Sequence, residues 1–200
     1  MMAAGVGWRM GRGYTIFDTA VGRCGIVWSD AGIVAVHLPE VREIDTRRRV
    51  YQLYPDARET RPPMNTEIAI DGIVTLLRGE ASDLLDVTLD TRGIHVFNQR
   101  VYEITRGIPR GETRTYGEVA TRLGAPGAAH SVAQAIAKNP FVIVVPCHRV
   151  LEAGGYADKI SPNGGTISKR HLLSIEGAHP AHSTTLFDVL LPVAPPRPHN

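Results

Sequence analysis

The sequence predicts an α/β protein made of two units, a small mixed α/β unit followed by a mainly helical one. β-branched strand patterns fill residues 14–38, whereas helical spacing dominates the chain after residue 91. A tight glycine-containing turn between two short helices is the third indication. We expect domains over residues 14–91 and 92–178, followed by a flexible, proline-rich tail over 179–200.

Strands are predicted at both ends of the first unit. The stretch YTIFDTAVGRCGIVWSDAGIVAVHL, residues 14–38, has the pattern of two or three strands with turns at AVGR and SDAG. The alternating LLDVTLD, residues 84–90, predicts one more strand. The sheet of this unit would therefore be completed just before the second unit begins.

Helices are predicted between these strands. The polar stretch after residue 40 indicates a short helix and then a loop. Residues 65–80 have near-helical apolar spacing, with Asn65 or Thr66 as the expected N-cap and Gly79 as the expected end.

The second unit begins with an amphipathic helix. Its apolar residues Phe97, Val101, Ile104 and Ile108 share one stripe, and Pro109 ends the pattern. Such a stripe is typical of a helix that packs one face against a core.

Two short helices follow, joined by the turn APG. The first is capped at Thr115 and closed by Gly124, and the second spans 128–139 up to Asn139-Pro140. This outline fits either a helix-turn-helix or an αα-hairpin buried in a core. The second helix has a small, smooth face that favours close approach to a groove or a phosphate backbone. Its small residues are Ala128, Ala129, Ser131, Ala133 and Ala135.

Charge is distributed unevenly along the chain. Residues 1–90 carry 10 Lys/Arg and 13 Asp/Glu, a formal charge of −3, whereas residues 91–176 carry 11 and 6, a formal charge of +5. An anionic partner would therefore meet the second unit.

Composition also restricts location and cofactors. No apolar run reaches the roughly 20 residues needed to cross a bilayer, and the first residues have no signal-peptide pattern. We therefore expect a cytoplasmic protein with no membrane partner.

Two cysteines, Cys24 and Cys147, could form one disulfide but neither a disulfide scaffold nor a cysteine-rich zinc site. No metal and no cofactor are expected.

Cys147, in FVIVVPCHRV, is the candidate nucleophile. The apolar run before it predicts a buried strand that Pro146 ends, with the thiol at its mouth. The basic neighbours His148 and Arg149 are expected to lower the thiol pKa. Glu176 could orient and charge the histidine, which would give a Cys–His–Glu relay. The alternative is an inert packing cysteine, which describes the other cysteine well.

Two reactions suit such a thiolate. A cysteine hydrolase needs an oxyanion hole, and nothing in the sequence identifies one. A sulfur nucleophile also suits direct displacement at a saturated carbon, which needs only a donor for the leaving group. Tyr116, at the start of the helix pair, is a candidate donor.

The motif VPCHRV at 145–150 resembles the active-site motif of the O6-alkylguanine-DNA alkyltransferases, the methylated-DNA–protein-cysteine methyltransferases. IPRGETRTYGEVATRLGAP at 108–126, NPFVIVVPCHRV at 139–150 and GGTISKRHLLSIEGA at 164–178 resemble family segments in the same order. The stretch DTAVGRCGIVWSDAGIVAVHL, ahead of LLRGE, is similar less specifically. The resemblance covers residues 14–178.

The resemblance implies a ribonuclease H-like N-terminal domain and a winged-helix or helix-turn-helix C-terminal domain. It also implies a reaction in which the protein takes an alkyl group from O6-alkylguanine in DNA and keeps it, acting once without turnover. Activity on O4-alkylthymine is left open. The implied partner is double-stranded DNA containing alkylated bases, the protein would be a monomer, and no cofactor is consumed.

The family's catalytic roles transfer by motif position. The resemblance implies that Cys147 is the alkyl acceptor, that His148 is its base through a water, and that Glu176 polarises the histidine. It implies that Asn139 ties the helix pair together and hydrogen-bonds near the thiol. Tyr116 would help to rotate the target nucleotide and donate to the departing base.

A second group would bind substrate. The main-chain carbonyls of Cys147 and Val150 would contact the guanine amino group, with Lys169 as a supporting contact. The full set expected to bind substrate or DNA is Tyr116, Ala128, Ala129, His130, Ser131, Arg149, Val150, Ser161 and Lys169.

The sequence departs from the family pattern at two places. His130 stands where the family usually has an arginine that fills the space of the everted base. In the turn that covers the family's pocket, Asp158 and Lys159 replace glycines and Ile160 stands at a common aromatic position, while Ser161 keeps a hydroxyl near O6.

Two other functions remain open. A lesion-binding module would bind alkylated DNA and signal without repairing it, and the substitutions at 130 and 158–160 fit a drift in that direction. The presence of Cys147, His148 and Glu176 favours transfer instead. A thiol-dependent hydrolase is the third hypothesis.

Overall fold

A computed structural model describes residues 11–82, 84–153 and 169–178, which form a mixed α/β protein with a small sheet followed by a helical part. The strands are β1 (Gly13–Thr19), β2 (Gly22–Ser29), β3 (Gly32–His37), β4 (Arg58–Glu59), β5 (Arg114–Thr115) and β6 (Val150–Leu151). The helices are α1 (Glu43–Leu53), α2 (Met64–Leu77), α3 (Val96–Arg106), α4 (Tyr116–Arg122), α5 (Ala129–Ala137) and α6 (Lys169–Glu176). Within these ranges no helix has the length and apolar character to cross a bilayer. The expectations for Ser161, the turn at 158–160 and the tail at 179–200 lie outside the described residues.

The sheet follows the predicted pattern. β1, β2 and β3 form an antiparallel meander, which confirms the predicted strands, and the short β4 pairs parallel to β1. Gly32 begins β3 with φ of 136°, a conformation that a β-carbon disfavours. A β-carbon there would also lie 2.5 Å from the Thr88 carbonyl oxygen, so glycine lets the sheet meet the segment that leads to the second unit.

Helix α1 forms where the polar stretch predicted one, but α2 begins earlier than expected. Its N-cap is Pro63, so the prediction of Asn65 or Thr66 is wrong. The Asn65 side chain instead bonds both the N–H and the carbonyl of Thr88, at 2.9 and 3.1 Å. Gly79, with φ of 85°, follows the end of the helix as predicted.

The strand predicted at 84–90 is not formed. Only Leu89 makes a bridge, parallel to Ile33 of β3. Leu84 and Val87 are both buried, and the Val87 N–H donates to the Leu84 carbonyl at 3.2 Å. Leu84 and Val87, three positions apart, therefore pack in a turn. Part of the segment also alternates between apolar and polar residues, and this alternation led to the prediction of a strand.

The helical part begins with α3. This helix ends at Arg106, two residues before Ile108, the last residue of the predicted apolar stripe. Ile108 is still buried, since its N–H donates to the Thr105 carbonyl and keeps the chain against the core.

Helix α4 is capped as predicted. The Thr115 hydroxyl accepts from the Glu118 N–H at 3.1 Å, and the Glu118 carboxylate accepts from the Thr115 N–H at 2.6 Å.

The apolar run at 141–145 is a tight turn, so the buried strand predicted there is wrong. The Val145 N–H donates to the Phe141 carbonyl at 2.7 Å, and Ile143 has φ of 75°. A left-handed backbone is strained at a β-branched residue. Cys147 therefore follows a turn, not a strand, and begins a short 3-10 helix.

One hydrophobic cluster joins the two parts of the molecule. It contains residues of β2 and β3 together with residues of α3, α5 and the turn at 141–145. The Val36 N–H of the edge strand β3 also donates to the Pro140 carbonyl at 2.8 Å. The sheet therefore supports the segment that carries Cys147.

Candidate active site

Cys147 lies beneath the surface, with 3% of its area exposed. Burial raises the pKa of its thiol above the usual value, while the charge of Lys169 and a hydrogen bond from Asn139 lower it by less. The expectation of a lowered thiol pKa is therefore wrong, because desolvation of the thiolate outweighs the nearby cation. The resting sulfur is a thiol.

Asn139 fastens the turn that precedes the thiol. Its Nδ2 donates to the Val145 carbonyl at 2.9 Å, and its Oδ1 accepts from the Phe141 N–H at 2.9 Å. The side chain is 1% exposed and also bonds the Cys147 sulfur. Asn139 comes two residues after α5, so it connects that helix to the turn and to the thiol.

His148 and Glu176 meet as the sequence predicted they could. The His148 Nε2 lies 2.8 Å from Glu176 Oε1, and both side chains are buried. Burial lowers the pKa of His148 while Glu176 opposes this shift, so the imidazole is neutral at pH 7. Its Nε2–H donates to the carboxylate, and its buried Nδ1 has no partner within the described part of the chain. Nδ1 therefore holds a lone pair that can accept a proton.

Arg149 is the second partner of Glu176. Its Nε and Nη2 donate to the carboxylate at 2.8–3.2 Å, and its Nη1 donates to the Ile108 carbonyl at 2.6 Å. Burial raises the pKa of the Glu176 carboxyl, but the hydrogen bond from His148 and those from Arg149 outweigh it and hold the pKa at about 2. The expectation that Arg149 contacts DNA is corrected here, because its guanidinium is buried and committed to the carboxylate.

Lys169, the first residue of α6, links three parts of the site. Its Nζ donates to the Tyr116 hydroxyl at 3.3 Å, lies 5.6 Å from the centre of the Tyr116 ring, and donates to the Val150 carbonyl at 3.1 Å. The positive charge of Lys169 also lowers the pKa of the Cys147 thiol, against the larger effect of burial.

The remaining predicted residues lie together on the first turn of α5. His130 and Ser131 are exposed, while Ala128 and Ala129 are half-buried. The opposite face of the helix packs Val132 into the core. The candidate site thus has two components, the buried Cys147 group and the exposed face of α5.

Tyr102 is a site residue that the sequence reasoning missed. It is buried, and its hydroxyl donates to the Ala135 carbonyl of α5 at 3.0 Å. Burial, and then the proximity of Cys147, raise its pKa to about 12. Its ring also meets Phe141 edge-on. The sequence could have indicated it, because a tyrosine stands beside the apolar stripe of α3 and a buried tyrosine hydroxyl needs a hydrogen-bond partner.

The described residues contain no cluster of three His, Cys, Asp or Glu side chains suited to a metal, and Cys24 and Cys147 are both free thiols. Fold and site together define a class: a mixed α/β protein with a buried cysteine next to a buried histidine–glutamate pair, with α6, which carries Glu176, as the last helix of the described residues.

Residues 96–178 match the family model described as the 6-O-methylguanine DNA methyltransferase, DNA binding domain. The methylated-DNA–protein-cysteine methyltransferase of Mycobacterium tuberculosis strain H37Rv is 43% identical over 144 residues, which cover 70% of this chain and 84% of that protein. The crystal structure of the M. tuberculosis O6-methylguanine methyltransferase superposes with a TM-score of 0.64 at 35% identity, over 88% of this chain and 99% of that one. A structure of the M. tuberculosis protein in complex with DNA matches with a TM-score of 0.62 at 32% identity, over 82% and 92%.

The chain therefore belongs to the methylated-DNA–protein-cysteine methyltransferase family.

Proposed function

We propose that the protein repairs DNA by direct reversal, transferring an alkyl group from O6 of guanine to Cys147 and retaining it there. Each molecule then acts once. The double-stranded DNA substrate would meet the second unit, which carries the excess of basic residues. Family membership supports this function, and the geometry around Cys147 supports the assignment of roles.

The observation that carries these roles is the His148–Glu176 pair next to the thiol. Glu176 is ionised and faces Nε2, so the imidazole presents its unprotonated Nδ1 as a base. A water between Nδ1 and the sulfur would carry the proton. Arg149 keeps Glu176 in place and ionised.

The proposed step balances without a cofactor. The Cys147 proton moves to His148, and the sulfur attacks the alkyl carbon, forming an S–C bond as the C–O6 bond breaks. The electron pair leaves with O6, and guanine recovers a proton from the imidazolium, either directly or through Tyr116, which then regains its own proton from the imidazolium. Glu176 stabilises the imidazolium during the step. Lys169, which bonds the Tyr116 hydroxyl, would favour the tyrosine as a hydrogen-bond donor.

The target base must leave the duplex to reach a buried sulfur, at a cost of a few kcal/mol that contacts with the opened DNA offset. We assign those contacts to the α5 face, with His130 in the space left by the base. In this proposal residues 14–91 form the ribonuclease H-like domain and 92–178 the winged-helix domain, in which α4 and α5 act as the helix-turn-helix. The protein would act as a monomer.

The test is intact-mass and peptide analysis after incubation with a duplex that contains O6-methylguanine. The peptide with Cys147 should gain the mass of one CH2 group. Cys147→Ala should bind the duplex without this gain, whereas the matched control Cys24→Ala should still gain it, because Cys24 is a packing residue whose burial raises its pKa to about 12.

Binding of the duplex without any mass gain would replace the proposal by a lesion-binding module. A gain that survives in Cys147→Ala would assign the acceptor to another residue.

A further inference from the structure

The exposed face of α5 has only two long side chains. Among the residues of this helix, His130, Ser131, Gln134 and Ala137 are exposed, and His130 and Gln134 are the two larger than serine. They are separated by four positions, so they lie one above the other on the same face. The helix carries no Lys, Arg, Asp or Glu between Ala129 and Ala137.

These two side chains are bonded to each other. Gln134 Nε2 lies 2.9 Å from His130 Nε2. The amide nitrogen donates to the ring nitrogen, and this hydrogen bond limits the rotation of the imidazole.

The position of His130 makes this restraint relevant to DNA. In a helix-turn-helix the N-terminal residues of the recognition helix contact the base edges, and His130 is the second residue of α5. An imidazole is shorter than an arginine side chain, so its contact with unstacked bases depends more on its orientation. A ring that is already held in one orientation loses less rotational freedom on binding.

We propose that Gln134 is a positioning residue for base eversion, which acts by holding the His130 imidazole ready to occupy the space left by the alkylated base. This inference rests on the proposed function. Gln134 does not touch the reacting atoms in this proposal, and its contribution is confined to substrates whose base must leave a duplex.

The test compares wild type, Gln134→Met, His130→Phe and the double variant. Methionine keeps the length and helix propensity of glutamine but cannot donate, and phenylalanine keeps a ring that cannot accept. The rate of alkyl transfer to Cys147 is measured with O6-methylguanine in a duplex and with a free O6-alkylguanine base, which needs no eversion.

Gln134→Met should slow transfer from the duplex about two- to tenfold, the range expected when one side chain must be ordered on binding. It should leave transfer from the free base unchanged. The double variant should react with the duplex at the rate of His130→Phe. In that variant the contact between residues 130 and 134 is already lost, so the methionine removes nothing more. Gln52→Met, the same substitution at an exposed position of α1, should react like wild type with both substrates.

An unchanged duplex rate in Gln134→Met would overturn the inference. So would a further loss in the double variant as large as the loss that Gln134→Met causes alone, or an equal loss with the free base. A wild type that alkylates Cys147 with neither substrate would contradict the proposed function itself, which is a separate outcome.

Discussion

At the scale of single residues, burial shifts the pKa values of Cys147 and His148 in opposite directions. The thiol remains protonated and the imidazole neutral, so the resting pair carries no charge. A charge arises only when His148 takes the proton, and Glu176 is already ionised to stabilise it. Such a site keeps its sulfur in the less reactive thiol form until a base removes the proton.

A second buried histidine gives a prediction for stability. Burial, and then the charge of Arg49, lower the pKa of His37 to about 4. Both ring nitrogens lack a partner within the described residues. Unfolding lets this histidine bind a proton at its ordinary pKa of about 6.5, so the unfolded state holds more protons between pH 6.5 and 4. Stability therefore falls as pH is lowered through this window, by about 3 kcal/mol for His37.

His37→Leu should accordingly flatten the dependence of the free energy of unfolding on pH between 6.5 and 4. It should also stabilise the protein at pH 5, since leucine needs no partner in the core. Urea unfolding at a series of pH values measures both effects. A residual slope from His148, shifted in the same direction, is expected; a slope identical to wild type would contradict the prediction.

At the scale of elements, the turn at 141–145 connects the two components of the candidate site. It follows α5, lies beside β3 through the bridge between Phe141 and Val36, and leads into Cys147. Its left-handed Ile143 persists because hydrogen bonds on both sides hold the backbone. Asn139 supplies two of these bonds from one buried side chain.

Asn139→Ala should therefore cost about 2–4 kcal/mol of stability, because it leaves a buried N–H and a buried carbonyl without partners. It should also slow alkyl transfer, since the sulfur is no longer held in position. Asn65→Ala is the matched control. Asn65 also bonds one N–H and one carbonyl, both on Thr88, but at a solvent-exposed site where water can replace it. Equal losses in the two variants, measured by urea unfolding, would show that burial of the Asn139 bonds is unimportant.

At the scale of the whole molecule, one hydrophobic cluster unites an acidic first part with a basic second part. Cys147, His148 and Glu176 all lie outside the sheet of β1–β4, which precedes them in the sequence. Its edge strand supports the turn before the thiol, through hydrogen bonding and packing. The basic part carries both Cys147 and the α5 face.

This division predicts a salt dependence that separates binding from chemistry. Affinity for duplex DNA should fall as salt rises, by about threefold for each phosphate contact between 50 and 200 mM. The rate with a free O6-alkylguanine base should hardly change, because that substrate carries no phosphate. Titrations by fluorescence anisotropy and single-turnover rates measure the two quantities. Equal sensitivity to salt in both would contradict an electrostatic contact with the DNA backbone.

Local chemistry was sufficient to predict much of this protein. The strands within 14–38, of which two or three were predicted, and the cap of α4 at Thr115 depend on neighbouring residues, so periodicity and turn residues identify them. The pairing of His148 with Glu176, 28 positions away, was predicted only as a possibility, because spacing does not determine which side chains meet.

Tertiary structure alone decided the ionisation of the thiol, the inward turn of Arg149 and the conformation of residues 141–145. An apolar run satisfies a strand and a buried turn equally well, and only the partners supplied by Asn139 and β3 select the turn. A basic neighbour lowers a thiol pKa, and Lys169 does so here, but the burial of Cys147 raises that pKa by more. Sequence specifies which groups are available, whereas burial and pairing determine their charge and orientation.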